Sequence, residues 1–189
     1  MPLAMVTPPA AEPVTLAEAK THLRVTAADE DTLIDSLIPT ARQWAEDFTR
    51  RALITQTWDY TLDAFADEIE IPLPPLQSIT SVKYLDTDGV EQTLATTEYT
   101  VDTAATRGLV RLAYGKSWPS VRDQANAVTI RFVAGYGNAP AVPAPIKAAC
   151  LLMLGELYAR RETAIVGAPI APVPVSAEYL LWPYRSLRF

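Results

Sequence analysis

The sequence predicts an α+β protein in which terminal helices pack into a small helical core, with an inserted antiparallel β-rich unit and a C-terminal docking tail. Three observations predict it. Apolar residues recur at helical spacing through Leu33, Ile34, Leu37, Ile38, Ala41, Trp44, Ala45 and Phe48, and an almost continuous apolar surface runs from Ile146 through Leu151, Leu152, Leu154, Leu157 and Tyr158. Between those stretches the period drops to two, with Trp58, Tyr60 and Leu62 alternating with Thr57, Asp59 and Thr61. Proline marks the seams: 16 prolines against 7 glycines, most of them in clusters near residues 8–13, 72–75, 140–145 and 169–174, where neither helix nor sheet tolerates them well. The expected division is a flexible N-terminal segment (1–13), a helical core (14–54 and 143–162), a β-rich insert (55–137) and a proline-rich tail (163–189).

The first helix is expected to open at Thr15, because Thr15-Leu16-Ala17-Glu18 has the capping-box pattern in which hydroxyl and carboxylate satisfy free amides. It should end near Arg24. The acidic run 29–31 suits the amino end of the second helix, whose dipole favours negative charge, and Pro39 inside it predicts a kink. Strands are expected from Thr55 onward and at 68–73, 79–85, 90–94, 99–102, 109–112 and 128–133, with Asp86-Thr87-Asp88-Gly89 as a hairpin turn. Pro145 can start a last helix running to about Arg161, and its nearly continuous apolar surface predicts a central position. Trp44 and Phe48 are therefore expected to pack against Leu151, Leu154 or Tyr158.

Composition removes several classes of function. The net charge of −6 opposes whole-surface binding of a polyanion. A single cysteine, Cys150, permits no intramolecular disulfide, and with one histidine, His22, there is no Cys/His zinc set. No metal and no cofactor are expected. The N-terminus lacks a basic region and a long apolar run, so a soluble chain kept in a reducing cytoplasm is expected. Gly115-Lys116-Ser117 lacks the upstream glycine of a phosphate loop and is followed by Trp118-Pro119 rather than a helix. Gly135-Tyr136-Gly137 reads as a tight turn. Asp86 and Asp88 lack the remaining ligands of a calcium loop. Asp63, Asp67, Glu68 and Glu70 fall where a polar loop or charged sheet edge is expected, not a desolvated acid/base pair. Arg50-Arg51 and Arg160-Arg161 close helices, where cations complement the dipole.

The tail is different. Trp182, Tyr184, Arg185, Arg188 and Phe189 are residue types enriched at interface hot spots. The tail either folds back on its own domain or docks on a partner. Docking predicts a segment that is mobile in the free chain and whose deletion leaves stability almost unchanged.

Taken together, several stretches resemble the head-tail connector (adaptor) proteins of long-tailed phages, prophages and gene transfer agents. They are Val14-Thr15-Leu16-Ala17-Glu18-Ala19-Lys20 with His22-Leu23-Arg24-Val25; Leu33-Ile34, Ala41-Arg42 and Thr49; Leu53-Ile54-Thr55-Gln56-Thr57-Trp58; and Leu73-Pro74-Pro75-Leu76. Also matching are residues 82–89, Phe132-Val133-Ala134-Gly135-Tyr136-Gly137, Pro145-Ile146-Lys147-Ala148-Ala149, and Leu180-Leu181 with Pro183-Tyr184-Arg185. The resemblance implies a structural virion protein, not an enzyme. It would form a twelve-fold ring of neighbouring copies beneath the portal protein and receive a stopper or head-completion protein below, with DNA passing through the lumen without specific binding and no membrane involved. It implies a place at the head-tail junction of the virion, after synthesis in the bacterial host cytoplasm. It also implies that the C-terminal segment contacts the portal, which here gives Tyr179, Leu180, Leu181, Trp182, Tyr184, Arg185 and Phe189 as partner-binding residues. A stand-alone protein-binding module and a carboxylate-based hydrolase are the rival readings.

Overall fold

A computed structural model describes residues 3–160 and 175–186. The chain forms two compact units, one from Met1–Ala10 with Thr55–Tyr136 and one from Ala11–Ile54 with Gly137–Phe189. Among the described residues no helix is long and apolar enough to cross a membrane.

Among the described residues the first unit holds eight strands: β1 (Leu3–Thr7), β2 (Gln56–Leu62), β3 (Glu68–Glu70), β4 (Leu76–Leu85), β5 (Glu91–Thr93), β6 (Tyr99–Asp102), β7 (Leu109–Leu112) and β8 (Val128–Ala134). They make a five-stranded sheet in the order β1-β2-β8-β4-β5 and a three-stranded sheet β3-β7-β6, with every pairing antiparallel. Strand β8 is central because its alternate residues Val128, Ile130, Phe132 and Ala134 are all buried, the period-two pattern of a half-buried strand. On its other face Arg131 donates two hydrogen bonds of 2.8 Å to the Asp59 carboxylate directly across on β2. That bidentate partner holds the Asp59 carboxyl below its ordinary range.

The segment expected to be flexible, residues 1–13, contains strand β1, which pairs with β2. Leu3-Ala4-Met5-Val6-Thr7 has neither a charge nor a proline, so its amides are free to join a ladder. Five residues are too few to show a period of their own beside Pro8 and Pro9. The acidic group near β3 serves the sheet edge: Glu68 pairs with Arg111 at 2.6 Å and Glu70 with Arg107 at 3.0 Å, while Asp63 accepts the Asn126 amide at 2.8 Å. At the hairpin, Asp86 accepts from the amides of Asp88 and Val90 and from Gln92, and Gly89 takes φ +84°, the left-handed geometry that glycine adopts without strain.

Gly108 lies against the core of this unit. A Cβ there would meet Leu76 Cδ2 at 2.2 Å and its Cβ at 2.5 Å, and Leu76 is itself buried. Gly108→Ala is expected to destabilise this unit by about 1–3 kcal/mol through overpacking. Urea unfolding checks it, and an unchanged midpoint would contradict the packing.

The second unit is helical: α1 (Leu16–Leu23), α2 (Asp31–Thr49), α3 (Ala144–Ala159) and α4 (Val175–Leu181). The Thr15 capping box is formed, with Thr15 N donating to Glu18 Oε2 at 2.8 Å and Glu18 N donating to Thr15 Oγ1 at 3.2 Å. Helix α1 stops at Arg24 in the left-handed region. Helix α2 runs uninterrupted through Pro39. Helix α3 touches α1, α2 and α4, as its apolar surface predicts, with Ile146, Ala149, Cys150 and Leu154 buried.

Trp44 and Phe48 lie beside the fully buried stripe of α2 rather than in it. The buried stripe of α2 is Ile34, Ile38, Ala41, Arg42, Ala45 and Thr49, whereas Trp44 and Phe48 are half-buried. Each lies one residue before Ala45 or Thr49, about 100° around the helix. The small side chains at 41 and 45 line the buried stripe, while the two aromatic rings lie against each other, tilted by 31° with centroids 5.9 Å apart, and Phe48 reaches Trp182 at 6.4 Å.

Candidate partner-docking surface

The tail folds on its own helical unit over residues 175–186, contrary to the mobility expected of a docking segment. Ala177 and Leu181 on α4 are fully buried, and α4 packs against α3 and α2. Two hydrogen bonds fasten the residues after Leu181. Ser186 N donates to Thr49 O at 2.8 Å and Arg51 Nε donates to Tyr184 O at 2.5 Å, with a 3-10 turn, Trp182–Tyr184, leading the chain from α4 to both. Leu181 therefore belongs to the core and cannot itself meet a partner; its position on α4 turns the side chain inward while Tyr179 and Trp182 turn outward. Phe189 lies outside the described residues.

The outward residues form a surface. Tyr179 is 75% and Trp182 59% exposed; Leu180, Tyr184 and Arg185 are half-buried. The Arg185 guanidinium carbon lies 5.0 Å from the Phe48 ring centroid and 4.8 Å from that of Trp182, in the corner between two rings inclined at 57°. This is cation–π geometry. Its Nε is buried and has no hydrogen-bond acceptor among the described residues. Arg50 is exposed at the left-handed cap of α2, next in the chain to Thr49, whose carbonyl accepts the Ser186 amide. The sequence singles out the tail half of this surface; Trp44, Phe48, Arg50 and Arg51 join it only because Ser186 is tied to Thr49. The one signal for them is the Trp44/Phe48 pair at i, i+4, which the helical period alone assigns to the core.

The other candidate groups of the sequence lie apart from this surface. Among the described residues no three His, Cys, Asp or Glu side chains converge to hold a metal ion. His22 is exposed. Burial, with the carboxylates of Glu46 and Glu12 adding to it, pushes the Cys150 thiol up to about 12, so the nucleophilic thiolate is suppressed. Lys116 of the would-be phosphate loop is paired with Glu98 at 2.9 Å.

The fold is shared with solved particle necks. Over its whole length the chain matches a structure of the neck of an empty gene transfer agent particle computed with C6 symmetry, with a TM-score of 0.81, 26% identity and 97% of that chain covered. It matches the virion of a native gene transfer agent particle with a TM-score of 0.80 and 27% identity, and the neck of a native particle computed with C12 symmetry with 0.78 and 27%; 100% of this chain and 97% of the other are covered in both. No curated protein sequence matches the chain. The family model described as phage gp6-like head-tail connector protein matches residues 13–107, just over half of the 189 residues, and with it the chain belongs to the phage gp6-like head-tail connector family.

Proposed function

We propose that the chain is the adaptor subunit of a particle neck. Copies form a ring beneath the portal, twelve in number, which joins the DNA-filled head to a stopper or head-completion protein below. The surface of Tyr179, Leu180, Trp182, Tyr184 and Arg185 docks on the portal or on a neighbouring copy, and DNA passes through the lumen without being gripped. The subunit is made in the host cytoplasm, acts at the head-tail junction and does no catalysis. The observation that carries this reading is the full-length likeness to neck chains of gene transfer agent particles, above 25% identity. Their C6 and C12 symmetries suit a twelve-membered ring, whose heterologous contacts close by rotation. The acidic balance of the chain suits a channel wall that repels a polyanion.

Imaging the purified chain with its portal tests the proposal. A ring of copies seated on the portal is expected, and separate or absent copies would leave a stand-alone binding module. Tyr179→Ser with Trp182→Ala should change stability by less than about 1 kcal/mol, since both side chains are largely exposed. The same pair should weaken portal binding by roughly a hundredfold if they are hot spots. Unimpaired binding would remove this surface from the portal contact.

A further inference from the structure

The distribution of unpaired cations singles out the same surface for a reason independent of its aromatic residues. Of the 16 Lys and Arg, Arg161 and Arg188 lie outside the described residues. Nine of the other fourteen are held in ion pairs: Lys20, Arg42, Lys83, Arg107, Arg111, Lys116, Arg131, Lys147 and Arg160. Five have none among the described residues, and three of those five, Arg50, Arg51 and Arg185, stand together around the backbone bond from Ser186 to Thr49. Arg51 uses Nε on the Tyr184 carbonyl. Arg185 has no acceptor among the described residues, and its guanidinium is already seated against the rings of Phe48 and Trp182. In a chain of net charge −6 that pairs most of its cations, an unpaired group of three is a basic island.

We propose that the partner meeting this surface presents an acidic segment, whose carboxylates pair with Arg50, Arg51 and Arg185 while Tyr179 and Trp182 cover its apolar flank. The proposal rests on the portal-docking reading and names the chemistry of the portal segment. A guanidinium already seated against two rings loses little freedom on binding, and its fork matches a carboxylate. A DNA phosphate would also take the charge, but a duplex in a channel offers no unstacked base to Tyr179 or Trp182. Three arginines on an otherwise acidic chain also make a poor polyanion track. Paired aromatic and arginine side chains match a protein partner's hot spot.

Binding of the full chain to its portal, measured between about 50 and about 300 mM NaCl, tests the proposal because exposed charge pairing is screened by salt. The affinity should fall roughly tenfold over that range. Arg185→Gln and Arg50→Gln should each weaken binding at low salt by about tenfold and flatten the salt dependence, as expected for a lost charge-assisted pair. Arg185→Lys should recover only part of the loss, because the ammonium lacks the fork. Tyr179→Ser should weaken binding while leaving the salt slope intact. Melting curves of each variant confirm that the fold is kept. If the wild-type chain binds its portal with no salt dependence and Arg185→Gln binds equally well, the acidic-segment proposal falls while the docking reading stands. If the chain binds no portal at any salt, both fall. If a short DNA duplex binds the wild type and loses affinity in the same arginine variants, the surface is a phosphate contact and the proposal is overturned.

Discussion

Deleting residues 175–189 is expected to unfold the helical unit or to lower its melting temperature sharply, and Leu181→Ala alone should cost about 2–5 kcal/mol. The reason is burial. Leu181 is fully enclosed, on a helix that packs against both α3 and α2. Removing the segment would strip the cover from an α3 whose surface is apolar nearly all round, and would leave the Thr49 carbonyl without the Ser186 amide. Exposed apolar helix surface of that kind seeks other cover, so the truncated chain should also aggregate. Helical circular dichroism during heating follows this unit. In chains that also carry Trp44→Phe and Trp182→Phe where Trp182 is present, fluorescence of Trp58 and Trp118 follows the β unit, where Trp118 stacks on Phe65 at 4.5 Å. Loss of the helical transition with the β transition retained is the expected pattern. A truncated chain that melts like the full one would return the tail to the role of a free docking segment.

Legibility in the sequence depended on whether the deciding interaction was local. Capping at Thr15 is a contact between residues three apart, so the pattern in the sequence and the hydrogen bonds in the structure coincide. The alternation of β2 and β8 depends on which face is buried, and it too can be read residue by residue. The α+β class follows from those local signals. Strand β1 was not legible, because its partner is β2, fifty or more positions later, and a short uncharged run beside prolines carries no period. Neither was the position of Trp44 and Phe48. Helical spacing defines an apolar arc wide enough for two stripes, and the structure fully buries the one that carries the small residues at 41 and 45. In the docking surface, Tyr179, Trp182, Tyr184 and Arg185 could be singled out by type. That Leu181 turns inward required the geometry of α4, and that Phe48, Arg50 and Arg51 complete the surface required the long-range tie between Thr49 and Ser186.

Replacing Arg42 by methionine should destabilise the helical unit by about 3–5 kcal/mol near neutral pH, the usual cost of removing one member of a buried ionic group. Arg42 is only 6% exposed and is the hub of that group. Its Nε donates to Glu12 at 2.8 Å and its Nη1 to Glu46 at 2.5 Å, while the other oxygen of Glu46 accepts the Leu53 amide at 2.9 Å. Glu12, Glu46 and Leu53 thereby fix both ends of residues 11–54 to the middle of α2. Methionine fills the volume but leaves Glu12 and Glu46 without their cation. The loss should depend on pH with a definite sign. Burial raises the Glu12 carboxyl above its ordinary value near 4.5, against the lowering effect of Arg42. A carboxyl raised by folding holds its proton more tightly in the folded chain, so its contribution to stability is present below the unfolded value and is lost as pH rises through the folded one. Without Arg42 that folded value climbs further. The penalty of Arg42→Met should therefore be largest near pH 7 and shrink as the pH falls toward about 4. Adding Glu12→Gln should recover part of it at pH 7 and almost none at low pH. Chemical denaturation at a series of pH values measures both effects, and a penalty that stays constant from neutral to acid would show that Arg42 acts through packing rather than charge.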